Sequence, residues 1–152
     1  MPKLNGKLAK RHNARFIAVQ SLYSWQLNRC DYRDLLKEFS KTTDLKYEAE
    51  YLGELLKEVT QNHESFDKII QPLLQGRGVD EVTPVEHAVL WVAVYELKSR
   101  IDIPYRVVIN EALEINKELG TDQGYQLVNA ILEKVAHQYR EVECGQVQRD
   151  VK

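Results

Sequence analysis

Four histidines (His12, His63, His87, His137) and two cysteines (Cys30, Cys144) are the side chains best suited to metal binding or nucleophilic attack, and their spacing argues against both. Glu133 and His137 stand four apart, without the HExxH pair of a zinc hydrolase or the Glu-x-x-His repeats of a di-iron bundle. Two isolated cysteines build neither a CxxC half-site nor a disulfide framework, and they fit a reducing, cytosolic compartment. Gly76-Arg77-Gly78 lacks the lysine and the flanking strand of a phosphate-binding loop. Glu111 with Glu114, and Glu96 with Asp102, could be imagined as acid–base pairs, but solvated helix faces and caps explain them more simply. These residues disfavour an enzyme and imply no metal and no cofactor.

Recognition is the chemistry left, and one segment has the residue types for it. The chain balances 21 basic against 23 acidic residues for a net charge of −2, yet the first thirty residues carry Lys3, Lys7, Lys10, Arg11, Arg15 and Arg29 with no acid at all. A single-stranded RNA is held by neutralising phosphates, by stacking bases on planar side chains and by reading base edges with short polar groups. Lys7, Lys10, Arg11 and Arg15 suit the phosphates, His12 and Tyr23 offer stacking faces, and Asn13 and Gln20 are amide readers. Tyr23 also fits the apolar core pattern, and taken alone it fits the core better than RNA. Lys7, Arg11 and Arg15, at i, i+4 spacing, form a short cationic ridge if this segment is helical.

The elements that must position these residues read as helices. Ala14 to Asn28 has Phe16, Val19, Tyr23 and Leu27 on one face and Ala14, Ala18, Leu22 and Trp25 on another, so it should run through a core, leaving Asn13, Gln20, Ser24 and Asn28 in water. A short amphipathic piece follows at Tyr32 to Phe39, then a helix over about 45–61 and a shorter one over about 65–71, ending before Pro72. Gln75-Gly76-Arg77-Gly78 is the strongest breaker and the expected subdomain boundary. Thr83-Pro84-Val85-Glu86 reads as a capping box with proline at the first helical position. Beyond it the octet Ala88 to Tyr95 is the longest apolar run, far short of the roughly 18 residues of a membrane-spanning helix. Two more helices span Tyr105 to Leu119 and about 122–139, with Gly120 between them and a frayed polar tail from residue 140. No signal peptide is visible, because Arg11, His12, Asn13 and Arg15 interrupt the apolar stretch that should follow the leading lysines. The sum is an all-α protein of about seven helices: two stacked three-helix subdomains, about 7–74 and 83–139, making one domain.

Several linked motifs then resemble one family. Arg15, Ala18, Gln20, Leu22 and Tyr23 match the Arg-x-x-Ala-x-Gln-x-Leu-Tyr pattern that opens members of the NusB family of bacterial transcription antitermination factors. Tyr95-Glu96-Leu97, Asp102-Ile103-Pro104 and Val108-Ile109-Asn110-Glu111-Ala112-Leu113-Glu114 follow that family's later signature in order and spacing. Val128-Asn129-Ala130-Ile131-Leu132-Glu133-Lys134 is similar to its closing motif. The likeness runs over roughly residues 10–136.

The resemblance implies a fold of two three-helix subdomains, in agreement with the helix reading. It implies binding of the single-stranded boxA element of ribosomal RNA leader transcripts together with the small ribosomal protein NusE, acting indirectly on the RNA polymerase elongation complex in the cytoplasm, without catalysis. It carries the RNA contacts onto Lys10, Arg11 and Arg15, with Gln20 and Tyr23 further along. The segment Leu119 to Leu127 becomes the second part of the surface, with Gln123 and Tyr125 toward RNA and Leu119 and Leu127 toward the partner. This chain departs from the family pattern in having His12 and Asn13 in an arginine-rich run. Leucines stand at 119 and 127 where phenylalanine is frequent, Gln123 where an acid is, Trp91 where arginine is, and Ala130 where glycine is. Trp91, Leu119 and Leu127 are candidates for self-association into a homodimer. The competing reading is a helical protein–protein adaptor without RNA affinity of its own. RNA methyltransferases with a NusB-like module would need a further Rossmann-like domain, for which the polar tail offers no residues.

Overall fold

The computed structural model describes residues 6–145. Among them are six α-helices and no strand: α1 (Gly6–Leu27), α2 (Tyr32–Thr42), α3 (Ala49–Ile70), α4 (Pro84–Ser99), α5 (Tyr105–Leu119) and α6 (Asp122–Tyr139). Residues 141–145 add a further helical turn. The chain divides into two compact units between His63 and Glu64, inside α3.

In the first unit α1 starts eight residues earlier than the apolar pattern indicates, at Gly6 rather than Ala14. Periodicity detects only the segment that meets a core, while the preceding polar turns are helical because lysine, leucine and alanine carry good intrinsic propensity. Ala14, Ile17, Ala18, Leu22 and Trp25 are buried, as are Leu35 of α2 and Tyr51, Leu52, Leu55, Leu56 and Val59 of α3. The expectation that α1 is apolar on two buried sides holds for one side only. Of the other face, Val19 is buried, whereas Tyr23 is 42% exposed and Leu27 76% exposed. A helical wheel gives the angle between two faces but not which of them a neighbour covers. Asp31 caps α2 by accepting from the Arg33 amide at 2.8 Å, and the indole of Trp25 donates to the Cys30 carbonyl at 2.9 Å, closing the turn between α1 and α2.

The two helices expected over 45–61 and 65–71 are one continuous α3 that begins later, at Ala49. The intervening polar residues Gln61 to Glu64 are compatible with a helix, and Asn62 bonds back to the Glu58 carbonyl at 2.8 Å.

In the second unit α4 is buried without interruption from Glu86 to Leu97. Such a helix needs neighbours on every side, and α5 and α6 both pack on it and on each other. Val108, Ile109, Ala112 and Ile115 of α5, and Val128, Ile131, Leu132 and Val135 of α6, complete this core. The ring of Phe66 lies 6.3 Å from that of Tyr95. The loop after α3 is stapled by Gln71, whose side-chain amide donates to the Arg77 carbonyl at 2.7 Å and accepts from the Val79 amide at 3.0 Å. Gly76 turns there with a φ of 90°, a region that a side chain would strain.

Only half of the expected capping box at Thr83 forms. Thr83 accepts from the Glu86 amide at 3.3 Å, but the Glu86 carboxylate accepts instead from the Thr121 hydroxyl at the start of α6, at 2.9 Å. A cap that the sequence pattern does not announce forms nearby, the Gly78 amide donating to the Glu81 carboxylate at 2.8 Å.

The tail expected to fray from residue 140 is anchored at its start. Arg140 is 4% exposed and donates to the carbonyls of Leu97 at 2.8 Å, Ile103 at 2.8 Å, Glu96 at 3.0 Å and Arg100 at 2.8 Å. One guanidinium thereby satisfies carbonyls at the end of α4, where a cation also complements the helix dipole. Its bond to Glu143 at 2.6 Å, and that carboxylate's acceptance from the Tyr105 amide at 3.1 Å, tie in the start of α5. Lys3 and residues 146–152 lie outside the described residues.

Candidate nucleic-acid interface

The basic start of α1 is helical, as the ridge requires, but its cations have different fates. Lys7 and Lys10 are exposed. Arg11 makes a two-pronged ion pair with Glu48, Nε to Oε2 at 3.0 Å and Nη2 to Oε1 at 3.1 Å, and its guanidinium lies 4.6 Å from the centre of the Tyr51 ring. Arg15 is 3% exposed and lies 5.6 Å from the same ring. The segment before α3 therefore docks on the ridge, and two backbone-directed contacts hold it there: Asn13 donates to the Lys46 carbonyl at 2.8 Å, and the Glu48 amide to the Lys10 carbonyl at 3.1 Å. The ridge of free charge expected from Lys7, Arg11 and Arg15 is thus replaced by two exposed lysines beside a paired arginine and a buried one. Asn13, offered as a base reader, is committed to backbone, and His12 is half-buried.

Further along α1, Gln20 is exposed and Tyr23 presents its ring to solvent. They lie on one stripe with the half-buried Phe16 and the exposed Leu27, so the first unit offers two lysines, an amide and an aromatic ring along a single helix. This is a suitable set for a single strand: point charges for phosphates and a planar face for a base.

In the second unit, Gln123 and Tyr125 are exposed on the first turns of α6, and Leu119 and Leu127 are half-buried. Thr121 caps the helix by accepting from the Gly124 amide at 2.9 Å. A groove of about 200 Å³ borders this helix, lined by Leu73, Leu74, Leu127 and Ile131 together with Arg77 and Lys134.

Glu133 pairs with Arg106 at 2.6 Å, which raises the arginine's already high pKa, while His137 bonds back to the Glu133 carbonyl at 2.8 Å. Arg100 meets Asp102 at 2.8 Å. Cys30 is exposed, but slight desolvation, with Asp34, Glu38 and Asp31 nearby, pushes its thiol upward, and burial does the same to Cys144 against the hydrogen bond from Tyr105. Neither sulfur is activated as a thiolate. Among the described residues, no three His, Cys, Asp or Glu side chains are grouped to hold a metal ion.

Two clusters are not legible in the sequence. Asp67 accepts from the Trp91 indole at 2.9 Å and meets His87 at 2.6 Å, the His87 and Trp91 rings 4.2 Å apart. Trp91 is 1% exposed, so it is a core residue and offers no surface for self-association. In the other cluster, Arg29 lies 4.0 Å over Trp25 and 3.2 Å from His63. The i, i+4 spacing of Trp25 and Arg29, and of His87 and Trp91, is the only local signal; the third member of each cluster comes from another element.

Residues 12–137 match the sequence profile of the NusB family. The chain belongs to the NusB family. A relative from Serratia proteamaculans, named transcription antitermination protein NusB, is 44% identical over 135 residues, covering 88% of this chain and 97% of its own. The solved structure of T. maritima NusB superposes with a TM-score of 0.75 at 28% identity, covering 85% of this chain and 92% of that one. A structure of antitermination factors NusB and NusE in complex with dsRNA shares the fold, with a TM-score of 0.75 at 24% identity over 84% of this chain and 96% of that one. No helix of this NusB-family chain, among its described residues, is long and apolar enough to cross a membrane.

Proposed function

We propose that the chain is a transcription antitermination factor that binds boxA-type single-stranded RNA of ribosomal RNA leaders together with NusE, in the cytoplasm and without catalysis. The observation that carries this reading is membership, over residues 12–137, of a family whose relatives bear that name. The exposure of Gln20 and Tyr23 on α1, and of Gln123 and Tyr125 on α6, supports it, since base recognition needs planar and amide groups in solvent.

Lys7 and Lys10 take phosphates in this reading. Arg11 contributes a partly compensated charge, and Arg15 acts through Tyr51 by fixing the face of α1. His12 lies beside these groups, and Leu119 and Leu127 face NusE. Each phosphate contact adds about 0.7 to the slope of log affinity against log salt on a single strand. Replacing Lys7 and Lys10 together by Ala is expected to flatten that slope by about 1.4 while the melting temperature stays put. Titration of labelled boxA-type RNA, alone and with NusE, tests this. An absence of binding at low salt under both conditions would refute the RNA reading and favour a protein–protein adaptor.

A further inference from the structure

We propose that Glu86 is a positioning residue for the α6 end of the interface: from α4 it holds the turn that aims Gln123, Tyr125 and Leu127. The role in RNA binding rests on the reading above; the clamp itself does not.

Glu86 is 3% exposed, in the first turn of α4. Its Oε1 accepts from the Thr121 hydroxyl at 2.9 Å, and the Thr121 oxygen in turn accepts from the Gly124 amide at 2.9 Å. The hydroxyl is a relay, with its proton committed to the carboxylate and its lone pair to the helix amide. Gly124 is packed so closely that a Cβ at this position would run into the Glu86 carboxyl group. Residue 124 is therefore glycine because of what approaches it, and the carboxylate and α6 fix each other in two ways: by a bond and by exclusion. On the other side of the turn Asn116 is fully buried and its amide reaches the Thr121 carbonyl at 3.5 Å.

A stabilising cap would be more economical without a buried charge. Among the described residues Glu86 Oε2 has no hydrogen-bond partner, and an unpaired carboxyl oxygen in the interior is costly. Had the side chain turned back on its own helix, the capping box at Thr83 would have been complete. Instead the carboxylate stands at the amino end of α6, where negative charge complements the free amides of the first turn. The interaction given up is local to α4. The interaction gained fixes the start of the helix that carries Gln123, Tyr125 and Leu127.

The test uses the full chain. Thr121→Val removes the relay at nearly constant shape, Thr121→Ser restores it, and Glu86→Gln keeps an acceptor while removing the charge. Amide hydrogen exchange at Gly124 and Tyr125 reads the clamp without RNA, and titration of a boxA-type RNA with NusE reads its consequence. Thr121→Val is expected to speed exchange at both amides by about tenfold, the size of a lost cap, and to weaken RNA binding several-fold, with Thr121→Ser near the original on both measures. Glu86→Gln should fall between them. In a Tyr125→Ala background the effect of Thr121→Val on affinity should largely vanish, because the clamp acts through that ring.

Unchanged exchange in Thr121→Val, or no recovery in Thr121→Ser, would overturn the clamp. An undiminished affinity loss without Tyr125 would overturn the positioning role. Faster exchange with unchanged RNA affinity would overturn the interface reading of residues 119–127 while leaving the clamp in place.

Discussion

Glu48 offers a direct way to ask whether the interface is electrostatically restrained. It is the acid that meets Arg11 through two bonds of 3.0 and 3.1 Å, with the two side chains 33% and 25% exposed. Replacing it by Ala removes one negative charge from the basic start of α1 and releases the guanidinium from this ion pair, while the Glu48 amide keeps its bond to Lys10. An ion pair this exposed contributes about 0–1 kcal/mol, and an acid beside a helix start contributes a similar amount. The variant should therefore lose about 1 kcal/mol and melt roughly 2–4 °C lower.

Its RNA affinity should nevertheless rise. One added phosphate contact is worth about 0.7 in salt slope, which amounts to about fivefold tighter binding near 0.1 M salt and less than about twofold near 0.5 M. Fluorescence anisotropy with a labelled boxA-type RNA, measured across salt in the presence of NusE, resolves both numbers. Unchanged affinity and slope, with helix content retained, would refute the argument by showing that Arg11 does not reach phosphate even when released. A fall in affinity would mean that the paired geometry, not the free charge, is what RNA recognises.

Other perturbations separate recognition from folding. Tyr23→Ala should weaken RNA binding by about five- to 150-fold if the ring stacks on a base, with little change in melting temperature because the side chain is already half in solvent; equal affinity would remove Tyr23 from the interface. Arg140→Met leaves four backbone carbonyls without their buried donor, and a loss of about 3–5 kcal/mol is expected by denaturant titration, so a loss below about 1 kcal/mol would contradict the capping role. Cys30 is exposed, and slight desolvation, with Asp34, Glu38 and Asp31 nearby, raises its thiol above the ordinary range. Its alkylation rate should stay low near neutral pH and rise through a midpoint above that of the unfolded chain's thiols; a midpoint below it would refute the assigned environment.

How far the site is legible depends on whether its signal lies within one element. Gln20 and Tyr23 can be chosen because residue type and spacing along α1 suffice, and the structure exposes both. The capping box fails at Glu86 because a carboxylate three residues into a helix has a second option that sequence does not display, the hydroxyl of Thr121 arriving from 35 residues away. The departure from the family pattern makes Trp91 a candidate surface residue, but the residue is buried and its indole donates to the half-buried Asp67 of α3. Arg140 reads as tail because nothing in its neighbours along the chain indicates four carbonyls waiting around the end of α4.

Sequence by itself determined that the protein is helical, where most of its helices turn, and which family it belongs to, because periodicity, breakers and motifs are properties of neighbours along the chain. It also determined that the first thirty residues carry cations and no acid. Only the tertiary structure decided what those cations are free to do. Glu48 is distant along the chain but 3.0 Å away in space, and Coulomb interactions depend on distance through space, not on sequence separation. Lys7 and Lys10 thereby remain in solvent, while Arg11 is paired and Arg15 is buried against Tyr51.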